Sequence, residues 1–328
     1  MIAARLSEDS RVRVLLLESG PADTLPQIAV PSAWPALRGS GVDYSYVTVP
    51  QVRTGNAVHA WPRGHTLGGS SSIDAMMFRR GHAADYDGWA EQGADGWDYA
   101  SVLPYFRRME TVNDGDPALR GDDGPMRPAP AADPSPLARA FVDAATAGGH
   151  RFTFIEAPLH RPALHAPANS FTLGIATVPE SRGTLRLVST DPGVPPLIDP
   201  NYLAEGQDVR RLVEAIEVAR NIAATEPLAR WRDREVLPGH NVRQPGGLRH
   251  YLQWGTGASH HPVGTCAMGR GAQAVVDPEL RVLGADGLRV ADASVMPRIV
   301  SAGTNAATIM IGEKASDMIR STHSLSPQ

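Results

Sequence analysis

The stretch Ser259–Gly269 has the sequence Ser-His-His-Pro-Val-Gly-Thr-Cys-Ala-Met-Gly, and its most informative side chain is His261. Pro262 and Gly264 restrict the backbone around this histidine, which favours a positioned side chain over a mobile one. A histidine that titrates near neutrality suits the role of a general base. Considered alone, the His-His-Pro sequence favours a structural histidine in a turn, so the segments around it decide its interpretation.

The segment that begins at Leu288 is predicted to be a strand that ends at Asp292 and Ala293. A carboxylate and a small residue at the carboxyl end of a strand can approach a ligand at the edge of an α/β sheet. An acidic turn without a ligand is the alternative. The strand end is therefore a candidate part of the site that contains the histidine.

A predicted helix over 306–319 follows, with Thr304 as its N-cap and Asn305 at its start. The N–H groups at a helix start stabilise developing negative charge. The amide of Asn305 can in addition hydrogen-bond an oxygen of a substrate. A plain helix cap is the alternative interpretation.

Upstream, the segment Gly64–Ser72 is a loop rich in glycine and serine. Gly68 and Gly69 let the backbone approach a ligand closely, and Ser70 and Ser71 offer donors for a pyrophosphate. A flexible surface loop is the alternative. Apolar residues flank or interrupt the loop and favour packing instead: Trp61, Leu67 and Ile73.

The apolar run Arg11–Gly20 is typical of a buried parallel strand, and it ends in the acid Glu18. An acid at the end of the second strand of a dinucleotide-binding fold accepts hydrogen bonds from the adenosine ribose. That fold also needs a strand and a Gly-x-Gly-x-x-Gly turn upstream, and residues 1–8 are too few to hold them. Gly269–Ala274 matches a Gly-x-Gly-x-x-Ala pattern by letter, but no helix follows, so a surface turn is predicted there.

The chain has 328 residues, enough for one large or two ordinary domains. Its net charge of −4 and the lack of a long basic run disfavour nucleic acid as a partner. The single cysteine, Cys266, excludes an internal disulfide, disfavours a structural metal site and fits a reducing compartment. No stretch approaches the roughly 20 apolar residues of a membrane span. We therefore expect a cytoplasmic protein.

Periodicity predicts further helices and strands along the chain. The predicted helices are 83–91, 136–148 and 208–224, each with apolar residues on one face. The predicted strands are 152–155, 183–189, 280–283 and 288–291.

Taken in order, these segments resemble the glucose-methanol-choline (GMC) family of flavin oxidoreductases over nearly the whole chain. The N-terminal signature of that family is similar to Arg63–Met76, which is followed here by Arg80–Asp87. Members usually have Lys, Asn and Gly where this chain has His65, Asp74 and Ala75. Asp74 thus places a negative charge where the family has a neutral amide near the flavin.

The resemblance implies an α/β (α+β) fold. It implies an incomplete Rossmann-like FAD-binding domain over 1–150 and 255–320. It also implies a partial substrate domain over 151–254 with an antiparallel sheet. Two parts of the family pattern are not found: the opening strand with its Gly-x-Gly-x-x-Gly turn, and a long central block between about Ala145 and Phe152. A misplaced start or a truncated gene would explain the first.

The same resemblance implies roles for individual residues. His261 would be the catalytic base, Asn305 the second active-site residue, and Glu18 the partner of the FAD ribose. His260 would be a bystander. The remaining residues implied to contact the cofactor are Gly68, Gly69, Ser70, Ser71, Asp74, Asp292, Ala293 and again Asn305.

The activity that the resemblance implies is oxidation of a small-molecule alcohol to a carbonyl, with hydride transfer to FAD and with oxygen or another acceptor taking the electrons. Two alternatives remain open. One is a degenerate relative that binds a ligand or performs acid/base chemistry without a cofactor. The other is a gene fragment without a function of its own.

Overall fold

The computed structural model describes residues 1–150, 171 and 173–323. Its contacts divide the chain into two compact units. Unit 1 contains Met1–Tyr46, Trp61–Ala129 and His260–Gln328, and unit 2 contains Val47–Ala60 and Pro130–Ser259. The predicted assignment of the FAD-binding and substrate domains stays a prediction.

Helices dominate the secondary structure of both units. The described α-helices are α1 (Ile2–Leu6), α2 (Ala83–Glu91), α3 (Tyr99–Arg108), α4 (Pro136–Ala147), α5 (Gly206–Ala224), α6 (Pro245–Gly255) and α7 (Asn305–Thr322). The predicted helices over 83–91, 136–148, 208–224 and 306–319 are therefore confirmed, with ends that differ by three residues at most. The predictions succeed because each helix has either an N-capping residue or an apolar face, and both can be recognised in the sequence.

The core of unit 1 lies between α2, α3 and α7. Trp89, Trp97, Phe106 and Met310 are fully buried there. Each large apolar side chain that leaves water contributes about 1.5–3 kcal/mol to folding. The indole N–H of Trp89 donates to the carbonyl oxygen of Arg298 at 2.8 Å, so the polar group of this side chain is also satisfied.

Buried charges fix α7 in this core. The carboxylate of Glu313 has no solvent exposure and accepts from Arg5 at 3.0 Å and from Arg108 at 2.7 Å. The next residue, Lys314, donates to the carbonyl oxygen of Gly96 at 2.7 Å. Burial lowers the pKa of Lys314 below its ordinary value. These contacts anchor α7 to the core and so fix the position of its first residue.

The sheets are small. Strand β1 (Tyr46–Val47) pairs with β2 (Ala60–Trp61), and β3 (Thr184–Arg186) pairs with β4 (Leu197–Asp199). The second pair is antiparallel, with Thr184 opposite Asp199, and it belongs to unit 2. The predicted strand over 183–189 is thus confirmed over three residues, and the helices with small antiparallel sheets agree with the predicted α/β (α+β) class.

The predicted strand over Arg11–Gly20 is wrong. Within the described residues, 12–18 join no sheet, and the side chains of Leu15, Leu16 and Leu17 are 81%, 64% and 82% exposed. A parallel strand needs at least one hydrogen-bonded neighbouring strand, and its apolar residues are buried only when helices cover both faces of the sheet. Here the segment has no assigned secondary structure, and no described strand lies beside it.

The predicted strands over 280–283 and 288–291 are also replaced by isolated bridges. Val282 bridges Val276, and Arg281 bridges Arg289. The connection between them is a tight turn with Gly284 and Gly287 at φ angles of 82° and 71°. Such a turn leaves too few paired residues for a ladder. Gly269–Ala274 forms the predicted turn, and the predicted strand over 152–155 lies outside the described residues.

Unit 2 is built on α5. Ile222 of this helix packs with Ala144 and Leu228, and Ile216 packs with Leu248 and Leu252 of α6. None of the helices in the described ranges combines the length and the apolar character that a membrane crossing requires.

Candidate active site

The turn that contains His261 is fixed by its backbone. His260 and Gly264 on either side adopt left-handed conformations with φ of 65° and 88°. The N–H of Cys266 then donates to the carbonyl oxygen of Ser294 at 2.9 Å, which ties the turn to the segment after the 288–291 bridge. His261 is half-buried at the start of this anchored stretch. Its position therefore follows from the fold of unit 1.

Gly303 lies next to the imidazole of His261. A Cβ atom on Gly303 would be 3.6 Å from both Cε1 and Nε2 of the ring. Because glycine has no side chain, space remains beside the two ring atoms. Asn305 follows two residues later as the first residue of α7, so the histidine and the helix start lie in the same part of unit 1.

Thr304 occupies the predicted N-cap position of α7, but its hydroxyl makes no capping bond to the helix N–H groups. Its φ and ψ of −80° and −9° are helical, whereas a capping side chain requires an extended residue. Thr304 is therefore at the predicted N-cap position, but its side chain does not cap the helix.

Asn305 is hydrogen-bonded to Asp74. The Asn305 Nδ2 atom donates to Oδ2 of Asp74 at 3.0 Å, across 231 residues of sequence. The other carboxyl oxygen, Oδ1, accepts from the N–H of Met76 at 2.7 Å. Burial raises the pKa of Asp74, and the hydrogen bonds from Met76 and Asn305 oppose that rise only in part. The predicted cofactor-binding residue Asp74 thus joins the predicted active-site residue Asn305.

The Gly64–Ser72 loop is compact because its glycines permit left-handed backbone conformations and close contact between backbone segments. Gly68 and Gly69 have φ of 87° and 59°, and a Cβ atom on Gly64 would lie 2.1 Å from the carbonyl oxygen of Gly69. Only glycine fits at position 64. By contrast, a Cβ atom on Gly69 would have no neighbour within 4 Å, so that part of the loop faces open space.

The loop serines hold the loop together. The hydroxyl of Ser71 donates to the carbonyl oxygen of Gly68 at 2.6 Å, and Ser70 accepts from the N–H of Gly64 at 3.1 Å. The Ser71 proton is thus engaged within the loop. Donation from these serines to a pyrophosphate stays a prediction.

Glu18 lies beside the same loop. Its carboxylate is exposed and accepts from the N–H of Gly20 at 2.7 Å. A Cβ atom on Gly20 would lie 2.3 Å from the carbonyl carbon of His65, and Thr66 donates to the carbonyl oxygen of Pro21 at 2.8 Å. The backbone after Glu18 is therefore pressed against the glycine-rich loop.

Asp292 and Ala293 serve the anchor of the histidine turn. Asp292 caps the short 3-10 helix Ala293–Val295 by accepting from the N–H of Ser294 at 2.8 Å. Ala293 packs against the core of unit 1. The carbonyl oxygen of Ser294 in turn accepts from the N–H of Cys266, so the short 3-10 helix supports the segment after His261.

A cavity of about 210 Å³ adjoins Asp74 and the serines of the loop. Its other wall is the segment from Gln27 to Leu37, including Trp34, where periodicity predicts neither a helix nor a strand. Proline at the start of each of two short 3-10 helices, Pro26–Ala29 and Pro31–Leu37, is the signal that could have predicted an ordered wall.

Comparison with known protein families matches the N-terminal and C-terminal parts of the chain to the same family. Residues 25–164 and 179–312 match two models described as GMC oxidoreductase. Together these matches cover most of the sequence.

Individual relatives agree with this match. Mitochondrial choline dehydrogenase of Mus musculus is 26% identical, with 98% of this chain and 87% of the relative covered. Oxygen-dependent choline dehydrogenase of Sinorhizobium fredii is also 26% identical, with 97% and 93% covered. Among solved structures, pyridoxine 4-oxidase from "Mesorbium loti" superposes with a TM-score of 0.86 at 25% identity, covering 99% of this chain and 97% of that one.

The alignment with the mouse protein extends over 519 residues, whereas this chain has 328. The relative therefore carries internal segments that have no counterpart here. This agrees with the expectation of a missing block, although its predicted position between about Ala145 and Phe152 stays a prediction.

Proposed function

Because the chain belongs to the GMC oxidoreductase family, we propose that it oxidises the CH–OH group of a small-molecule alcohol to a carbonyl, with FAD as its cofactor. When bound, FAD supplies the acceptor for the hydride of the alcohol carbon. The O–H proton leaves separately, and the C=O double bond forms as both bonds break. Oxygen or another electron acceptor would then reoxidise the cofactor.

His261 is the residue we assign as the base for the O–H proton. The observation that carries the proposal is that this imidazole and the start of α7 lie together, with the glycine Gly303 beside Cε1 and Nε2. A base must come within hydrogen-bond reach of the proton that it removes, and the space next to Nε2 allows that approach. Asn305, two residues from Gly303, would orient the oxygen of the alcohol.

The residues around the glycine-rich loop offer a surface along which part of a large cofactor could lie. Gly69 faces open space, the cavity beside Asp74 and Ser71 is about 210 Å³, and Glu18 is exposed at the edge of the same loop. We therefore assign this loop and Glu18 to cofactor binding. The N–H groups at the start of α7 would face developing negative charge.

The relatives suggest where a search for the substrate begins. Choline and pyridoxine, the compounds in the names of three of them, are small alcohols that contain nitrogen. We propose to test these two compounds first, with simple primary alcohols beside them, and with oxygen and a dye as alternative acceptors.

The flavin itself gives the decisive experiment. The purified chain, reconstituted with FAD, should show flavin absorbance and release FAD on denaturation, and an alcohol should bleach that absorbance when oxygen is excluded. The His261→Gln variant should keep its flavin and lose the bleaching. A folded protein that takes up no FAD contradicts the proposal.

One observation favours a second candidate, a degenerate relative that binds a ligand without redox chemistry. The segment before Glu18 joins no described sheet and is exposed, whereas a complete nucleotide-binding sheet would bury it. In that case the folded protein would retain no FAD after unbound FAD is removed, and it would still bind a small ligand in the cavity beside Asp74.

A further inference from the structure

The hydrogen bond between Asp74 and Asn305 links the segment after the glycine-rich loop to the start of α7. Its two partners differ in the hydrogen bonds that they can make. A side-chain amide has a donor face, Nδ2, and an acceptor face, Oδ1. An ionised carboxylate only accepts hydrogen bonds. At 3.0 Å from Oδ2 of Asp74, the amide of Asn305 must therefore turn its Nδ2 atom toward Asp74.

The carboxylate cannot rotate away freely, because its second oxygen is also engaged. Oδ1 accepts from the N–H of Met76 at 2.7 Å, and Met76 has a left-handed backbone with φ of 55°. Asn305 is equally constrained, since the next two residues of α7, Ala306 and Ala307, are fully buried. Both partners thus have fixed backbones, and the hydrogen bond joins two rigid segments.

We propose that Asp74 is a positioning residue that holds the Asn305 amide in one orientation. Oδ1 and one N–H of that amide then remain available to the substrate. This inference rests on the proposed function for its catalytic consequence, but the orientation is a property of the chain by itself. An Asn at position 74, as in the family pattern, could donate as well as accept and would permit either orientation of the Asn305 amide.

Protonation of Asp74 would release this constraint, because a carboxylic acid can donate to Oδ1 of Asn305. The groups that contact the carboxyl, the N–H of Met76 and the amide of Asn305, are both neutral. His261 is the titratable group of the proposed site near Gly303, and its own titration must be separated from that of Asp74. Burial raises the pKa of Asp74, which brings its protonation closer to the range in which a folded protein can be studied.

The test observes the Asn305 amide directly, without turnover. Asn305 is one of seven asparagines, so selective ¹⁵N-asparagine labelling gives few side-chain NH₂ signals, and Asn305→Ser identifies the right one. In the wild-type chain this signal should shift as pH falls, with a midpoint above the ordinary aspartate value of about 3.9. The shift should persist in His261→Gln and vanish in Asp74→Asn.

Asp191→Asn is the matched control. Asp191 also accepts from the N–H two residues ahead, Gly193, at 2.8 Å, and it is exposed. This variant should leave the Asn305 signal and its titration unchanged. A wild-type Asn305 signal that does not shift as pH falls, or that shifts equally in Asp74→Asn, overturns the proposal; the first of these outcomes does not depend on whether Asp74→Asn folds.

Activity supplies the second measurement. If the alcohol is oxidised, Asp74→Asn should lower kcat about tenfold with KM less affected, because a misoriented catalytic amide is costly in the transition state. An unchanged kcat would show that the orientation has no catalytic role. If the wild-type chain holds no FAD and oxidises no alcohol, the proposed function fails, whereas the amide signal still decides whether Asp74 orients Asn305.

Discussion

The imidazole of His261 faces Gly303 so closely that a Cβ atom on Gly303 would lie 3.6 Å from both Cε1 and Nε2. That distance is an ordinary van der Waals contact, so a methyl group fits without displacing the ring. It would nevertheless occupy the space through which, in the proposed mechanism, a substrate oxygen would reach Nε2. A substitution at Gly303 can therefore test access to the proposed base without disturbing the fold.

Gly303→Ala should therefore lower kcat/KM about tenfold or more, with a change in the free energy of unfolding of less than about 1 kcal/mol. Steady-state kinetics and urea unfolding measure the two effects. Gly257→Ala is the matched control, since a Cβ atom there would lie 4.0 Å from Nδ1 of His59 in unit 2. Equal losses in both variants would mean that the effect is not specific to His261.

His261→Gln should lower kcat by about 10²–10⁴-fold while flavin content is retained, because the O–H proton then lacks its base. The comparison is His260→Asn, at a residue with φ of 65°, a conformation that asparagine tolerates. That variant should keep activity close to wild type. If His260→Asn were as inactive as His261→Gln, the assignment of the base between the two histidines would have to be reversed.

Glu313→Ala should destabilise unit 1 by about 3–5 kcal/mol, because Arg5 and Arg108 would lose a carboxylate that is fully buried between them. Urea unfolding of the variant measures this loss. Asp133→Ala removes an ion pair with Arg139 whose side chains are 96% and 61% exposed, and it should change stability by less than about 1 kcal/mol. A small effect at Glu313 would contradict the described core.

Asp208 gives a pH-dependent prediction for unit 2. Burial acts to raise the pKa of Asp208, but hydrogen bonds from the backbone N–H groups of Glu180 and Ser181, at 2.7 and 2.9 Å, and from the Ser181 hydroxyl prevail and lower it. A lowered folded-state pKa stabilises the fold above the unfolded-state value, about 3.9, and that stability is lost as pH falls toward the folded-state value.

Asp208→Ala should therefore cost about 1–3 kcal/mol near neutral pH, and the difference from wild type should shrink as pH falls below about 4. Urea unfolding at several pH values measures it. Asp191→Ala, at an exposed turn, should show a much smaller cost at neutral pH. A difference at position 208 that does not depend on pH would exclude the ionised carboxylate as the stabilising group.

The sequence predicted the helices and the turn around His261 because their signals are local. The amphipathic pattern of α5 and the Pro-Val-Gly sequence after His261 each lie within one short window. Strand Arg11–Gly20 failed for the opposite reason: its apolar pattern was correct for a strand, but a strand exists only with partners elsewhere in the chain. No described segment supplies them.

The hydrogen bond between Asp74 and Asn305 could not be predicted from the sequence for a similar reason. Both residues were predicted to lie near the cofactor, but 231 positions separate them, and no spacing rule indicates that a carboxylate and an amide so far apart will meet. The cavity wall formed by Gln27–Leu37 was missed because short 3-10 helices leave no periodic pattern.

The exposed leucines at positions 15, 16 and 17 have a consequence for how this protein behaves in solution. An exposed apolar segment that joins no sheet can adopt a strand conformation and pair with the same segment of another molecule. Self-association should therefore increase with concentration, and light scattering should show that Leu16→Lys reduces it. The colloidal stability of the protein thus depends on a short segment far in sequence from its proposed catalytic histidine.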